Sequence, residues 1–378
     1  MFLKAMLIAG FAMFAMFFGS GNLVFPLLLG SHTLSTMNQA FLGFVSTAVM
    51  MPVLGLMALI LFNGSRREFF APLGSKVAFV LTLFILCLVG PIGVIPRCFT
   101  VAFGGLSLVL PSLNFAVFAF LISVLVGALV WEENKVIDII GLVLSPIKFG
   151  FIALILVVGL FFAPTVSQSA VEAKQALVLG AKMGYQTMDL VGAIFFSAAT
   201  TTYLKSKLPE KSLIKASVGA SLLASGLLLA AYYGFITLGA SYAPELSNVK
   251  PEQMLVAVSQ EALGSFTGPL VAVTIAVACL ATAVVLVNLF VDFLQNDIFK
   301  GKLQRRYAIA ITCSLSFVMS LVGFATICSI LGMALEVIYP ALIVFSILSI
   351  VSKLSRFHYA PHGFWVTLFL TLIMTYML

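Results

Sequence analysis

The chain has 378 residues, of which 62% are hydrophobic and only 9% are charged. Soluble domains carry about 25% charged residues, so a soluble protein of this composition could not cover its surface with polar groups. The composition therefore predicts an integral membrane protein with many spans. The formal net charge of +7 does not indicate a nucleic-acid partner, because the basic residues lie between apolar segments rather than on one face.

Apolar segments of about 20 residues, the length that crosses a bilayer, follow one another along the whole chain. They are continuously apolar and about twice as long as a barrel strand, which predicts an all-α polytopic membrane protein embedded in a lipid bilayer. Eleven segments are predicted to form transmembrane helices: 6–29, 39–62, 77–95, 113–130, 137–163, 185–204, 213–238, 266–290, 307–324, 331–351 and 363–378.

The placement of Lys and Arg tests this count independently, because cytoplasmic loops carry an excess of both residues. With the N-terminus in the cytoplasm, all but four of the 20 Lys and Arg residues fall in inner segments. The exceptions are Lys174, Lys182 and Lys250 in outer loops and Arg97 near the membrane. The even spread over the inner segments supports eleven spans and a cytoplasmic N-terminus.

Near its middle, the first span carries residues that weaken a helix. Gly19 and Gly21 each cost about 1 kcal/mol relative to Ala, and Pro26 costs about 3. One explanation is a close helix contact through small residues, which Gly10, Ala15, Gly19 and Ser20 could form. The other is a discontinuous helix at a binding site, where the freed backbone groups bind ions or charged ligand groups. The mid-membrane position favours the second explanation.

The sixth span begins with a similar polar cluster, "GYQTMDLVGAIFFSAATTTY" (184–203), which contains Asp189 and Gly192. Breaks in spans one and six indicate two inverted repeats of five spans each. The two copies are predicted at about 1–165 and 184–352, with an extra C-terminal helix at about 363–378, all in one transporter domain.

Other classes of protein find less support in the sequence. It contains no HExxH or GxSxG motif, so we do not expect an enzyme. A channel would need polar residues along a continuous pore, and the paired breaks argue against one. The five cysteines lie mostly inside apolar segments, and we expect neither a disulfide framework nor a resident cofactor.

Six motifs occur in one order over nearly the whole chain: "FGSGNLVFP" (18–26), "VGPIGVIPR" (89–97), "LSPIK" (144–148), "GYQTMDLVGA" (184–193), "ACLATAV" (278–284) and "IYPALIVFSILS" (338–349). Together they resemble the BrnQ-type branched-chain amino acid:cation symporters of bacteria. This family belongs to a superfamily with the LeuT-like fold, whose first span often carries a Gly-x-Gly-Asn break. The family usually has a twelfth span; the five-plus-five core is complete without it, so we expect transport to survive.

The resemblance implies a multi-pass protein of the bacterial inner membrane that imports Leu, Ile or Val by alternating access. Coupling to Na⁺ is expected, with H⁺ or another apolar amino acid as alternatives, and no obligate protein partner is inferred. The backbone N–H groups of Ser20, Gly21 and Asn22 suit the substrate carboxylate, and carbonyls from Met188 to Gly192 suit its ammonium group. The candidate substrate-binding residues are Phe18, Gly19, Ser20, Gly21, Asn22, Met188, Asp189 and Gly192.

Five phenylalanines near the two breaks are candidates for an apolar pocket, with ordinary packing as the alternative: Phe14, Phe17, Phe18, Phe195 and Phe196. The LeuT-like resemblance also implies a Na⁺ site between spans one and eight. Its ligands would be the carbonyls of Ala15, Phe18 and Cys279 and the hydroxyl of Thr282. Many relatives place a second hydroxyl where this chain has Ala283, and Thr282 could instead bond its own helix.

Asp189 and Glu336 are the acids most clearly inside spans, where buried acids are functional hypotheses by default. Asp189 could bind the ammonium group or a cation, or cap a helix. Glu336 could carry a coupling proton, pair with Arg97 or face water. Arg97 is expected to brace the core.

Overall fold

The computed structural model describes residues 2–131, 145–169, 171–355 and 359–376, and every regular element in these ranges is helical. The α-helices are α1 Phe2–Phe17, α2 Ser20–Thr33, α3 Met37–Val45, α4 Met51–Leu61, α5 Arg66–Phe70, α6 Ser75–Val89, α7 Val94–Ser107, α8 Phe115–Trp131, α9 Ser145–Phe161, α10 Ala173–Tyr185, α11 Asp189–Lys207, α12 Glu210–Ser241, α13 Ala243–Leu246, α14 Met254–Leu263, α15 Gly268–Phe293, α16 Arg305–Ser320, α17 Phe324–Leu354 and α18 Ala360–Tyr376. Short π turns at Ser46–Met50 and Leu294–Ile298 extend α3 and α15.

Within the described residues, five helical runs are long and apolar enough to cross a membrane: Ser20–Leu61, Ser75–Ser107, Lys211–Ser241, Ser265–Ile298 and Phe324–Leu354. Shorter apolar helices accompany them, among them α1, α8 and α18. The chain is thus an all-helical, multi-pass membrane protein, as its composition predicts. The count of eleven spans and the inverted repeat stay predictions, and residues 137–144 of the predicted fifth span lie outside the described ranges.

The first span is discontinuous where the sequence predicts it, because Phe18 and Gly19 separate α1 from α2. In a continuous helix the Gly19 N–H would bond the Ala15 carbonyl. Here it donates to the Phe17 carbonyl at 2.8 Å and to the Asn22 side-chain oxygen at 3.2 Å. We call this interruption the α1–α2 break.

The sixth span is also discontinuous, but the break lies earlier than the sequence analysis places it. Residues 186–188 separate α10 from α11, and Met188 adopts a positive φ of 60°. The segment 164–184, interpreted as an outer loop, contains most of α10. The segment was assigned to a loop because it contains Lys174 and Lys182. In the structure it is helical, and its small residues pack closely against α3.

A third interruption was not predicted. Residues 90–93, Gly-Pro-Ile-Gly, separate α6 from α7, and they lie inside the segment 77–95 that was predicted to form one continuous span. Pro91 cannot donate a backbone hydrogen bond, and α7 starts again at Val94. This α6–α7 break places Arg97 in the first turn of α7, where its N–H bonds the Gly93 carbonyl at 3.1 Å.

Close backbone contacts hold the broken helices together. A Cβ on Gly43 of α3 would lie 1.9 Å from the Leu177 carbonyl oxygen, and one on Gly180 of α10 would lie 2.0 Å from that of Ala40. Glycines therefore allow α3 and α10 to touch along their backbones. Gly10 makes a similar contact with Leu223 of α12. Small-residue packing thus accounts for Gly10 rather than for the α1–α2 break.

Candidate functional site

A cavity of ≈ 40 Å³ lies where the three breaks meet. Every predicted substrate-binding residue except Phe18 lines it. Its lining consists of Met16, Phe17, Gly19, Ser20, Gly21, Asn22, Val89, Val94, Arg97, Thr187, Met188, Asp189, Gly192, Thr282 and Leu286. The fold therefore brings residues that are far apart in sequence to one small space.

A buried hydrogen-bonded group joins the α1–α2 break to the α10–α11 break. The Asn22 amide nitrogen donates to both carboxylate oxygens of Asp189, at 3.0 and 2.9 Å. The Tyr232 hydroxyl, from α12, donates to the same carboxylate at 2.8 Å and also contacts the Asn22 amide. Asp189 begins α11, where a carboxylate complements the helix dipole. Its side-chain partners come from two other helices, so it does more than cap its own.

Arg97 lies at the same cavity with a side chain that is only 1% exposed. Its Nη1 donates to the Gln186 carbonyl at 2.8 Å, within the α10–α11 break. The guanidinium carbon lies 5.3 Å from the centre of the Phe25 ring. A Cβ on Gly21 would lie 2.7 Å from Nη2. Arg97 does brace two breaks, but it is also part of the cavity wall, which the sequence analysis did not predict.

The backbone carbonyls at the second break differ from those expected. The Met188 carbonyl accepts the N–H of Gly192 at 2.9 Å, so it belongs to the first turn of α11. The Gln186 carbonyl lies outside the helical pattern and accepts a hydrogen bond from Arg97. The break lies before Asp189, which is why carbonyls from 188 to 192 follow the helical pattern.

The five phenylalanines separate into different environments. Phe17 lines the cavity, whereas the Phe14 and Phe18 rings pack together with centres 5.4 Å apart. Phe18 is fully buried and also packs against Tyr232. The Phe195 ring faces Arg66, 4.9 Å away, and is not part of the cavity wall. The side chain of Phe196 lies outside the described residues.

Of the proposed Na⁺ ligands, Thr282 reaches the cavity. A Cβ on Gly19 would lie 3.5 Å from Thr282 Cγ2 and 3.9 Å from its hydroxyl oxygen, so this side chain flanks the α1–α2 break. The hydroxyl donates to the Ala278 carbonyl of its own helix at 3.1 Å, the alternative left open by the sequence. Ala15, Phe18 and Cys279 do not line the cavity, and Ala283 is fully buried.

Glu336 pairs with Lys182 at 3.0 Å rather than with Arg97, so that part of the prediction was wrong. The two side chains are 36% and 56% exposed. They border a second cavity, whose lining includes Gln186, the residue next to Thr187 in the wall of the first cavity. Lys182 was assigned to an outer loop, so its approach to α17 was not foreseen.

Two polar groups at the site were missed by the sequence analysis. Tyr232 was hidden in a long apolar span, where a tyrosine is usually a packing residue, although its hydroxyl needs a partner when buried. Gln186 was not singled out from the polar cluster around it. The role of Arg97 in the site could have been predicted, because an ionisable residue inside a membrane is a functional hypothesis by default.

Comparisons with known proteins identify the family of this chain. Residues 3–377 match the model of the family described as branched-chain amino acid transport protein. The branched-chain amino acid permease BraB of Bacillus subtilis is 30% identical over 364 residues, covering 93% of this chain and 81% of that protein. The permease BrnQ of Salmonella typhimurium is 30% identical, with 90% and 79% covered.

The fold is also found among solved structures. Mhp1, a nucleobase-cation-symport-1 family transporter solved in a closed conformation, superposes with a TM-score of 0.64 at 14% identity. The match covers 97% of this chain and 91% of Mhp1. At this identity the likeness shows the fold, which is LeuT-like, and carries no information about substrate.

Proposed function

The chain belongs to the branched-chain amino acid transport protein family, and from this premise we propose that it is a secondary active transporter of Leu, Ile and Val. The observation that carries the proposal is the small cavity between the broken helices. It brings together backbone N–H groups at the start of a helix, a buried carboxylate and apolar walls. Such a combination suits an amino acid with an apolar side chain.

A zwitterion inside a membrane needs partners for both of its charges, because an unpaired charge there is costly. The first-turn N–H groups of α2, at Ser20, Gly21 and Asn22, have no partners within their own helix and suit the carboxylate. The Asp189 carboxylate is suited to the ammonium group. The remaining walls are apolar and suit a branched side chain; they include Met16, Phe17, Val89, Val94 and Leu286.

We propose that the transport is symport with a cation, most simply Na⁺, a hard cation that takes oxygen ligands. The proposed ligands are the carbonyls of Ala15, Phe18 and Cys279 and the hydroxyl of Thr282. Two observations support this set. The Gly19 N–H turns away from the Ala15 carbonyl. The Thr282 oxygen, while donating to Ala278, retains lone pairs for a cation. Coupling to H⁺ is the alternative.

The size of the cavity supports alternating access. A cavity needs roughly 10–15 Å³ to hold one water molecule. The ≈ 40 Å³ of this cavity is therefore room for a few waters and too small for leucine. The surrounding helices must separate for a substrate to enter. In that respect the cavity differs from a channel pore, which stays wide enough for its solute.

Uptake of radiolabelled leucine into proteoliposomes tests both substrate and coupling. We expect accumulation driven by an inward Na⁺ gradient, with unlabelled isoleucine and valine competing. Accumulation under a proton gradient alone would refute Na⁺ coupling but not transport. Equilibration without accumulation under either gradient would indicate a channel, and no uptake of any of the three amino acids would refute the substrate assignment.

A further inference from the structure

Arg97 is a buried charge in the membrane interior, and part of its hydrogen-bonding capacity is unused. Within the described residues its side chain contacts three neutral groups, the Gln186 carbonyl, the Phe25 ring and the Cys328 thiol, and its charge also acts electrostatically on Asp189. Its buried Nε has no hydrogen-bond partner there. A guanidinium carries five N–H donors, and an ion pair with Arg97 is not seen among the described residues. Burial of such a group is costly unless an anion completes its surroundings.

The position of Arg97 identifies where that anion would bind. The α6–α7 break places the guanidinium in the cavity wall, against the first turn of α2. Gly21 permits this approach, since any Cβ there would lie 2.7 Å from Nη2. The guanidinium and the positive end of the α2 dipole thus meet on one side of the cavity. Two sources of positive potential at one point favour a negatively charged ligand group.

Asp189 supplies the opposite charge on the same cavity. Its carboxylate oxygens accept hydrogen bonds from the neutral donors Asn22 and Tyr232, while Arg97 acts on it electrostatically, with no ion pair between them among the described residues. The cavity therefore presents separate cationic and anionic groups, which is the complement of a zwitterion. If Arg97 served only as a brace, its donors would be expected to be used within the protein.

We infer that Arg97 is a substrate-binding residue that pairs with the carboxylate of the amino acid, together with the α2 amides, and so restricts transport to ligands with a free carboxylate. This inference rests on the proposed function and deepens it. A guanidinium matches a carboxylate with two parallel hydrogen bonds, a geometry that lysine cannot reproduce. The inference therefore predicts which ligands each Arg97 variant distinguishes.

The test compares leucine with leucinamide, which keeps the ammonium group and side chain but lacks the carboxylate. Affinities of both ligands are measured on purified full-length protein by ligand-induced thermal stabilisation. We expect the wild type to prefer leucine by about 100-fold or more, because a site built for a polar group rejects analogues that lack it. In Arg97→Gln the preference should fall below about 10-fold. Arg67→Gln, the same change at an exposed position, should keep the wild-type ratio.

A structural role for Arg97 would weaken both ligands by the same factor, and an unchanged ratio in Arg97→Gln would overturn the inference. If that variant does not fold, Arg97→Lys decides the question. It keeps the charge but loses the bidentate geometry, so the ratio should fall by about 10-fold, and an unchanged ratio would again overturn the inference. Wild-type protein that binds none of Leu, Ile or Val would refute the proposed function itself.

Discussion

Gly21 is a glycine because a guanidinium lies against its backbone. The sequence marked this residue as a helix breaker, yet α2 is helical from Ser20 onward. The structural reason for glycine is steric, since Arg97 Nη2 occupies the space that a side chain would need. Sequence patterns predicted that the residue matters but not why, because Arg97 is 76 positions away and α7 had to be placed first.

Enlarging residue 21 should therefore disable transport without preventing insertion. We expect Gly21→Leu to abolish leucine uptake and Gly21→Ala to lower it by about 10-fold, since overpacking a close contact costs roughly 1–3 kcal/mol. Uptake is measured in cells with membrane levels checked by immunoblot. Gly226→Ala is the control, because the added Cβ would meet no atom within 4 Å beyond the backbone of its own helix. Normal uptake by Gly21→Leu would contradict a role of this residue in the site.

Asp189 and Tyr232 should differ in importance, because one carries the charge and the other only orients it. Asp189→Asn should lower leucine affinity by about 30-fold or more, as expected when one partner of a buried charge pair is lost. Tyr232→Phe removes the hydroxyl that bonds Asp189 and Asn22 but leaves the charge in place, and at about 1 kcal/mol for the neutral hydrogen bond to the carboxylate it should cost only about 5-fold. Binding of leucine to both purified variants checks the order, and the reverse order would show that Asp189 does not bind the ammonium group.

At the scale of elements, interrupted helices set the architecture. The α1–α2 break was predictable because two glycines and a proline fall within one apolar span. The α10–α11 break was misplaced, since it depends on Met188 adopting a positive φ, for which methionine gives no sequence signal. The α6–α7 break carries the same signal, two glycines and a proline in an apolar segment, and it was missed because hydropathy alone was used to set the bounds of that span.

The glycine contact between α3 and α10 should be essential for stability. Gly180→Ala places a Cβ 2.0 Å from the Ala40 carbonyl oxygen, so the two helices must move apart. We expect a loss of about 1–3 kcal/mol, seen as a lower melting temperature of the purified protein in detergent. Gly226→Ala, an identical change within another helix, should leave the melting temperature the same or higher. Equal melting temperatures for both variants would show that the contact is not tight.

For the whole molecule, hydropathy was sufficient to predict the class of protein, and motif order was sufficient to predict the family. Neither showed which charged residues lie on helices and which lie in loops. Lys182 and Lys174 looked like loop residues because charge usually marks the end of a span. In the structure they lie on α10, which packs against α3 instead of standing alone in lipid. The hydropathy and charge of one segment do not show which other helix it contacts, so contacts of this kind could not be predicted from the segment alone.

The proposed orientation can be tested with two exposed lysines. In Lys250→Cys the new thiol should react with a membrane-impermeant maleimide in intact cells. In Lys302→Cys it should react only in inverted vesicles, because the basic segment around it is expected to stay in the cytoplasm. The wild type, whose five native cysteines are all free, gives the background signal. Labelling of Lys302→Cys in intact cells would reverse the proposed topology.

The hydrogen-bonded group of Asn22, Asp189 and Tyr232 has an evolutionary consequence. Its three members come from three helices, and replacing any one alone leaves a buried donor or acceptor without a partner. Substitutions that persist should therefore occur together, with donors and acceptors still matched. Among relatives we expect positions 22, 189 and 232 to covary, although they are separated by up to 210 residues, while nearby packing residues such as Phe14 change independently.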